Sequence, residues 1–178
     1  LGRGGSDTTA TALGVALEAE YVDIFTDVEG VLTADPRIVE DATALETVTY
    51  TEMCNLAFQG AKVVHPRAIE IAMQTNVPIR VRSTLLDHPG TTVMSTVERD
   101  RLAGEFEDRL ITGITQMPHV TQIRVAAKQG QYELQLKVFK AMADHNISVD
   151  FINVNPSSLA YTVYDEVADQ AEAILKSM

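Results

Sequence analysis

The stretch LGRGGSDTTATALGVALEAE, residues 1–20, most narrows what this chain can fold into. Gly2, Gly4 and Gly5 crowd its start, Ser6 or Asp7 can cap a helix, and Ala12, Leu13, Ala16 and Leu17 fall on one helical stripe. Glycines let backbone N–H groups approach an anion, and a helix start adds about half a positive charge. The loop is therefore a competent cradle for a phosphate or a carboxylate. It is not a P-loop, because no Gly-Lys-Ser/Thr follows, and it is not GxGxxG, whose third glycine would fall on Asp7. A plain glycine turn entering a helix would read the same way, so the weight falls on the segments that follow.

Those segments alternate in type. YVDIFTD reads as a short strand, VEGVLTADPRI as a turn-punctuated loop, and TEMCNLAFQGAKVVHPRAIEIAMQTN as two helices separated around Gly60 and Pro66. VPIRVRST and GTTVMS read as strands, so residues 1–95 are expected to form an α/β layer with a largely parallel sheet. Residues 96–110, charged and broken by Gly104, read as a linker. Residues 111–178 then run strand, helix, strand, strand, helix, with Leu134, Val138, Ala141 and Met142 on one stripe of the first helix. That is a ferredoxin-like α+β unit incomplete at its last strand.

Composition bounds the chemistry. In 178 residues, 46% of them apolar, there is enough material for a real core, and no apolar run approaches the roughly 18 residues of a membrane helix. No secretory signal is evident, which points to a cytoplasmic protein without a membrane partner. A net charge of −11 argues against a nucleic-acid surface, which needs a basic patch. Cys54 sits at helical spacing among Met53, Leu56 and Ala57 and reads as a small core residue. His88, His119 and His145 have no spacing that suggests a metal set, and no protein-held metal is expected. Cations gather in the first half as Arg3, Arg37, Lys62, Arg67, Arg80 and Arg82. Arg80 and Arg82 alternate onto one strand face, where they either solvate an acidic domain or offset a bound anion.

Three stretches combine into a candidate site. Thr26 and Asp27 lie at the end of a strand, where open α/β sheets tend to bind ligands, and an Asp-Pro turn delivers Arg37. Lys62 follows Gly60 by two residues near a helix end. Phosphoryl transfer needs cations on the moving group and an acid to orient them, and Lys62, Arg37 and Asp7 are of suitable type.

The ordered series LGRGGSDTTA, TDVEGVLTADPR, QGAKVVHPRAIEIA and VPIRVRS resembles the C-terminal half of the kinase domain of aspartate kinases, within the amino-acid kinase family. The remaining segment resembles the ACT regulatory domain that follows there. The resemblance implies a partial amino-acid kinase fold followed by a ferredoxin-like ACT domain. It also implies transfer of the ATP γ-phosphoryl group, with Mg2+, to the β-carboxylate of L-aspartate, in lysine, diaminopimelate, threonine and methionine biosynthesis. Asp7 and Lys62 would be catalytic, while Arg3, Gly4, Gly5 and Ser6 would hold the substrate. Thr26, Asp27, Leu32, Arg37 and Lys62 would bind the nucleotide. Lys128, Gly130, Asp150 and Asn155 would form an allosteric site for lysine, threonine or diaminopimelate, and paired ACT domains would make a homo-oligomer. His65 shares the family pattern and takes a structural role.

The chain departs from that family at three places. No Lys-x-Gly-Gly motif is present, so the isolated chain is expected to be inactive. The effector loop reads AKQGQYE where an Asp-x-Pro-Gly turn is common, and Val154 precedes Asn155 where glutamine is frequent. Two alternatives stay open: another member of the amino-acid kinase family, and a noncatalytic ACT-containing regulatory or assembly module.

Overall fold

The structure, a computed structural model, describes residues 4–103, 110–126, 133–155 and 158–178. The chain divides into two compact units, Leu1–Gln116 and Met117–Met178.

The first unit contains α1 (Gly5–Ala16), β1 (Val22–Thr26), β2 (Thr47–Thr49), α2 (Tyr50–Phe58), α3 (Pro66–Thr75), β3 (Ile79–Ser83), β4 (Thr91–Met94) and α4 (Thr96–Ala103). Its sheet has the order β1-β3-β4-β2. β1 runs parallel to β3 and β2 parallel to β4, whereas β3 and β4 are antiparallel. The largely parallel sheet expected from sequence is thus present, with one hairpin-like reversal. Gly90 makes that reversal possible, at φ 78 and so close beneath the Val81 carbonyl that no Cβ would fit.

Period-two alternation sends Val22, Ile24, Ile79, Val81 and Val93 inward. They meet Met53 of α2 and Ala68, Ile69 and Ala72 of α3 in one core. Cys54 packs against this core as expected, and burial, then the Glu70 charge, pushes its thiol pKa up. On the other face of the sheet, Asp23 and Arg80 are register partners, and the guanidinium grips both carboxylate oxygens at 2.6 and 2.7 Å. Arg80 also lies 3.4 Å over the Tyr21 ring, and Arg82 lies 5.7 Å over that of Phe25. The two arginines share a face, and Arg80 is matched by Asp23.

Three expectations are corrected. α1 begins two or three residues early, with Gly4 as its N-cap and no side-chain cap bond, so neither Ser6 nor Asp7 caps it. Its buried residues are Thr11 and Gly14, whereas Ala12, Leu13, Ala16 and Leu17 face outward. The reason is close approach: a Cβ on Gly14 would strike the Val22 side chain, so the helix seats its small residues on the sheet. The stretch 96–110 is not a linker throughout, since Thr96–Ala103 is helical, started by the Ser95 hydroxyl accepting from the Glu98 N–H at 3.2 Å. Residues 112–116 are hydrogen-bonded into the first compact unit, which runs to Gln116.

The second unit follows the expected order: β5 (Val120–Ala126), α5 (Leu134–Asp144), β6 (Asp150–Asn155), β7 (Ser158–Tyr164) and α6 (Asp165–Lys176). The sheet order is β5-β7-β6, antiparallel throughout. Val138 and Met142 of α5 and Ala171 of α6 bury against Leu159, Tyr161 and Val163 of β7. Leu134 and Ala141 pack at the rim of this core, as the stripe predicts. β6 is an edge strand with a register shift between Asp150 and Asn153, and all six of its residues are exposed.

Candidate active site

The site begins where the glycine loop meets α1. Gly4 has φ 76, and a Cβ there would overlap the His65 ring, so only glycine lets the loop close onto this neighbour. Because no cap side chain covers the start of α1, the leading amides keep the anion-facing character that a helix N-terminus provides. The hydroxyls of Thr8 and Thr9 turn back onto the Gly4 and Gly5 carbonyls at 3.0 and 2.7 Å. Asp7 in the first helical turn accepts from the His65 backbone N–H at 3.1 Å and from the Ser6 hydroxyl at 3.3 Å. A residue 58 positions away in sequence is thereby tied to the loop.

His65 itself is structural, as expected. It caps α3, with Nδ1 accepting from the Arg67 N–H at 3.3 Å and Pro66 following at the first helical position. Lys62 lies in the short segment between α2 and α3. That segment leaves α2 through Gly60, at φ 116, with the Ala61 N–H closing on the Leu56 carbonyl at 2.9 Å. The two pieces together line an open cavity of about 260 Å³. Gly4, Asp7, Lys62 and His65 line it alongside Ala57, Ala61, Val63, Val64 and Pro66. A cavity of this size, open to solvent, has room for a phosphoryl group or a small amino acid.

A second cluster gathers at the end of β1. The Thr26 hydroxyl donates to Asp27 at 3.1 Å, while the Thr26 carbonyl accepts from both the N–H and the hydroxyl of Thr84 at 2.8 and 3.0 Å. The loop after β1 folds back as a narrow arm: Leu32 bridges Ala44, the Thr33 N–H donates to Thr43, and the Leu45 N–H donates to Val31. Buried Thr91 anchors its base by accepting from the Val31 N–H at 2.8 Å. Near the tip, Arg37 places Nε and Nη2 on Asp35 at 3.0 and 2.7 Å. This fork holds the Asp35 carboxyl down at about 2, through the side-chain bond first and the backbone N–H of Arg37 second. Sequence reasoning missed Asp35, although the DPR spacing carries the signal.

Gly4, Gly5, Ser6, Asp7 and Lys62 thus belong to one neighbourhood, with Gly4, Asp7 and Lys62 on the cavity wall. Thr26, Asp27, Leu32 and Arg37 do not line that cavity, and Arg37 is 87% exposed with its fork taken by Asp35. Arg3, Lys128 and Gly130 lie outside the described residues. On β6, Asp150 accepts from the Phe151 N–H at 2.8 Å, and the Asn155 amide donates to Asn153 at 3.1 Å. Among the described residues no group of three or more His, Cys, Asp or Glu side chains is arranged to hold a metal ion, and no helix is long and apolar enough to cross a membrane.

Residues 1–83 match the model of the amino acid kinase family. The whole chain is 58% identical to aspartokinase 1 of Bacillus subtilis over 178 residues and spans 44% of its length. It is 42% identical to the aspartokinase of Mycolicibacterium smegmatis over 159 residues, covering 89% of this chain and 37% of that protein. Among solved structures, aspartokinase III of Escherichia coli in complex with lysine and aspartate superposes with a TM-score of 0.74 at 31% identity, over 99% of this chain and 39% of the other. Aspartate kinase from Clostridium acetobutylicum shares the fold, with a TM-score of 0.80 at 24% identity over 99% of this chain and 41% of that one. The chain spans less than half the length of these relatives.

Proposed function

Because the chain belongs to the aspartokinase family, we propose that the protein carrying it transfers the γ-phosphoryl group of ATP to the β-carboxylate of L-aspartate. A β-carboxylate oxygen forms a bond to the γ-phosphorus, the bond to the ADP oxygen breaks, and the products are an acyl phosphate and ADP. The observation that carries this reading is the joining of the glycine loop, Asp7 and Lys62 around one small cavity at a helix start. Lys62 supplies positive charge to the moving phosphoryl group, and the α1 amides supply fixed dipoles that need no reorganisation as charge develops. Asp7, anchored by the His65 N–H, holds the loop against the Lys62 segment. Gly4, Gly5, Ser6 and Arg3 are the residues proposed for the amino-acid substrate.

The nucleotide is assigned to Thr26, Asp27, Leu32 and Arg37 together with Lys62. The strand end at Thr26 is the kind of place where such ligands bind. Mg2+ would arrive with the nucleotide's phosphates, since among the described residues no group of three or more His, Cys, Asp or Glu side chains is arranged to hold an ion. When bound it neutralises phosphate charge. The second unit, through Asp150, Asn155, Lys128 and Gly130, is assigned an amino-acid effector and subunit pairing. A structure of an Escherichia coli relative with both lysine and aspartate is consistent with a separate effector.

The test is ADP release by the complete protein with ATP, Mg2+ and L-aspartate, and with Lys62→Met beside it. Aspartate-dependent turnover that falls at least about a hundredfold in the variant is expected, the scale of losing one electrostatic stabiliser. Turnover with glutamate but not aspartate, or an undiminished variant, refutes the assignment.

A further inference from the structure

The stretch just before the second unit is a strap across the first. The Thr112 hydroxyl donates to Glu52 Oε1 at 2.6 Å, near the start of α2. The Ile114 N–H donates to the Thr33 carbonyl at 2.8 Å, on the arm that carries Arg37. The Thr115 hydroxyl donates to the Gln59 carbonyl at the other end of α2. Gln116 closes the contact, since its carbonyl lies where a Cβ on Gly60 would stand. Gly113 fits between, where an added Cβ would sit 3.2 Å from the Thr33 carbonyl oxygen and 3.5 Å from Leu56.

What the strap grips matters more than its length. Gln59 and Gly60 form the turn that leads to Lys62; within it the Ala61 N–H closes on Leu56 at 2.9 Å and the Gly60 N–H reaches Ala57 at 3.5 Å, and the Gln59 carbonyl is left for a partner outside the helix. Helix-end carbonyls have no partner within their own helix and need one from outside. The Gln59 carbonyl finds it in Thr115, and Gly60, at a φ that L side chains rarely adopt, is pressed against the strap. The same strap holds the arm at Thr33, so the Lys62 turn and the Arg37 arm share one support.

We propose that Thr115 is a positioning residue for Lys62, fixing the Gln59–Gly60 turn so that the ammonium group meets the phosphoryl group in register. The inference rests on the phosphoryl-transfer reading above. It goes beyond that reading in giving the strap a part in the reaction without contact to substrate.

The test uses the complete protein with Thr115→Val, which removes the donor at nearly constant size, and Thr115→Ser, which keeps it. With the valine variant, kcat should fall about five- to tenfold, the scale of one lost hydrogen bond, while KM for aspartate stays within about twofold. Amide exchange in residues 59–64 should quicken, and the serine variant should restore both readouts. An unchanged kcat, unchanged exchange in 59–64, or a serine variant no better than valine each overturns the proposal. Failure of the activity reading looks different: the wild-type protein then releases no aspartate-dependent ADP, and exchange in 59–64 alone decides whether Thr115 holds the turn.

Discussion

Glu52 joins more of the first unit than any residue singled out from sequence, and replacing it by alanine gives a sharp test of the packing argument. Its carboxylate accepts from the Thr49 N–H at 2.8 Å, from the Thr49 hydroxyl at 2.7 Å and from the Thr112 hydroxyl at 2.6 Å. Arg99 of α4 stands 3.5 Å away. The carboxylate half of the capping box is worth ~1 kcal/mol, and the Thr112 bond to a charged acceptor ~1.5 kcal/mol. The Arg99 pair adds little, being about 30% exposed on each side. With a discount for the partial exposure of Glu52, the loss at pH 7 should be about 2 kcal/mol by these terms. Burial works to raise the Glu52 carboxyl, but the bonds from Thr112 and Thr49 and the Arg99 charge outweigh it, so the group sits below its ordinary 4.5. A depressed carboxylate contributes stability that is fully present above 4.5 and lost as pH falls through the lower folded value. Urea unfolding of wild type and Glu52→Ala, followed by circular dichroism, should therefore show a gap that narrows as the pH is lowered below 4.5. A gap under about 0.5 kcal/mol at neutral pH, well below the capping-box contribution alone, would refute the reasoning. So would a gap that does not change with pH.

Two further outcomes follow from particular contacts. Gly4→Ala adds a Cβ to a φ of 76 and into the His65 ring, so aspartate-dependent turnover of the complete protein should fall at least tenfold, from strain of about 1–3 kcal/mol at the loop; wild-type kcat and KM in that variant would contradict the close-approach argument. On β6, Val154 is 48% exposed and offers no hydrogen bond where a glutamine could, so calorimetry on the complete protein should find lysine and threonine binding weaker than about 100 µM, near −5.5 kcal/mol. Tighter binding that disappears in Asp150→Ala would show that Val154 does not limit the site.

Elements with local signatures were legible in the sequence. Pro66 and the capping His65 mark the start of α3, Gly60 marks the end of α2, and alternation marks β1 and β3. The β-α-β-β-α order of the second unit was equally plain. β2 was not, because three residues carry no period and Thr47–Thr49 becomes a strand only by pairing with Thr92–Met94. At the site, the glycine loop and Lys62 could be read as a pair. Their connection through Asp7 and the His65 N–H could not, since it spans 58 positions and ends on a backbone amide that has no residue signature.

The misread face of α1 has a plain physical cause. Hydrophobic pattern ranks residues by what they gain on leaving water, so it sent Leu13 and Leu17 inward, and it read the charged run after Ser95 as solvent-exposed chain. Such a ranking fails where the deciding term is distance of approach or a long-range hydrogen bond. Gly14 wins the buried position because Val22 leaves no room for a Cβ, and Leu13 and Leu17 are left 57% and 77% exposed. Residues 112–116 join the first unit because Thr112, Ile114 and Thr115 supply donors to Glu52, Thr33 and Gln59. Polar closure of this kind needs only small hydroxyl residues and a glycine in extended chain, a composition that resembles a loop. The support proposed for the turn of Lys62 thus rests on hydroxyl donors that a hydrophobic ranking does not register.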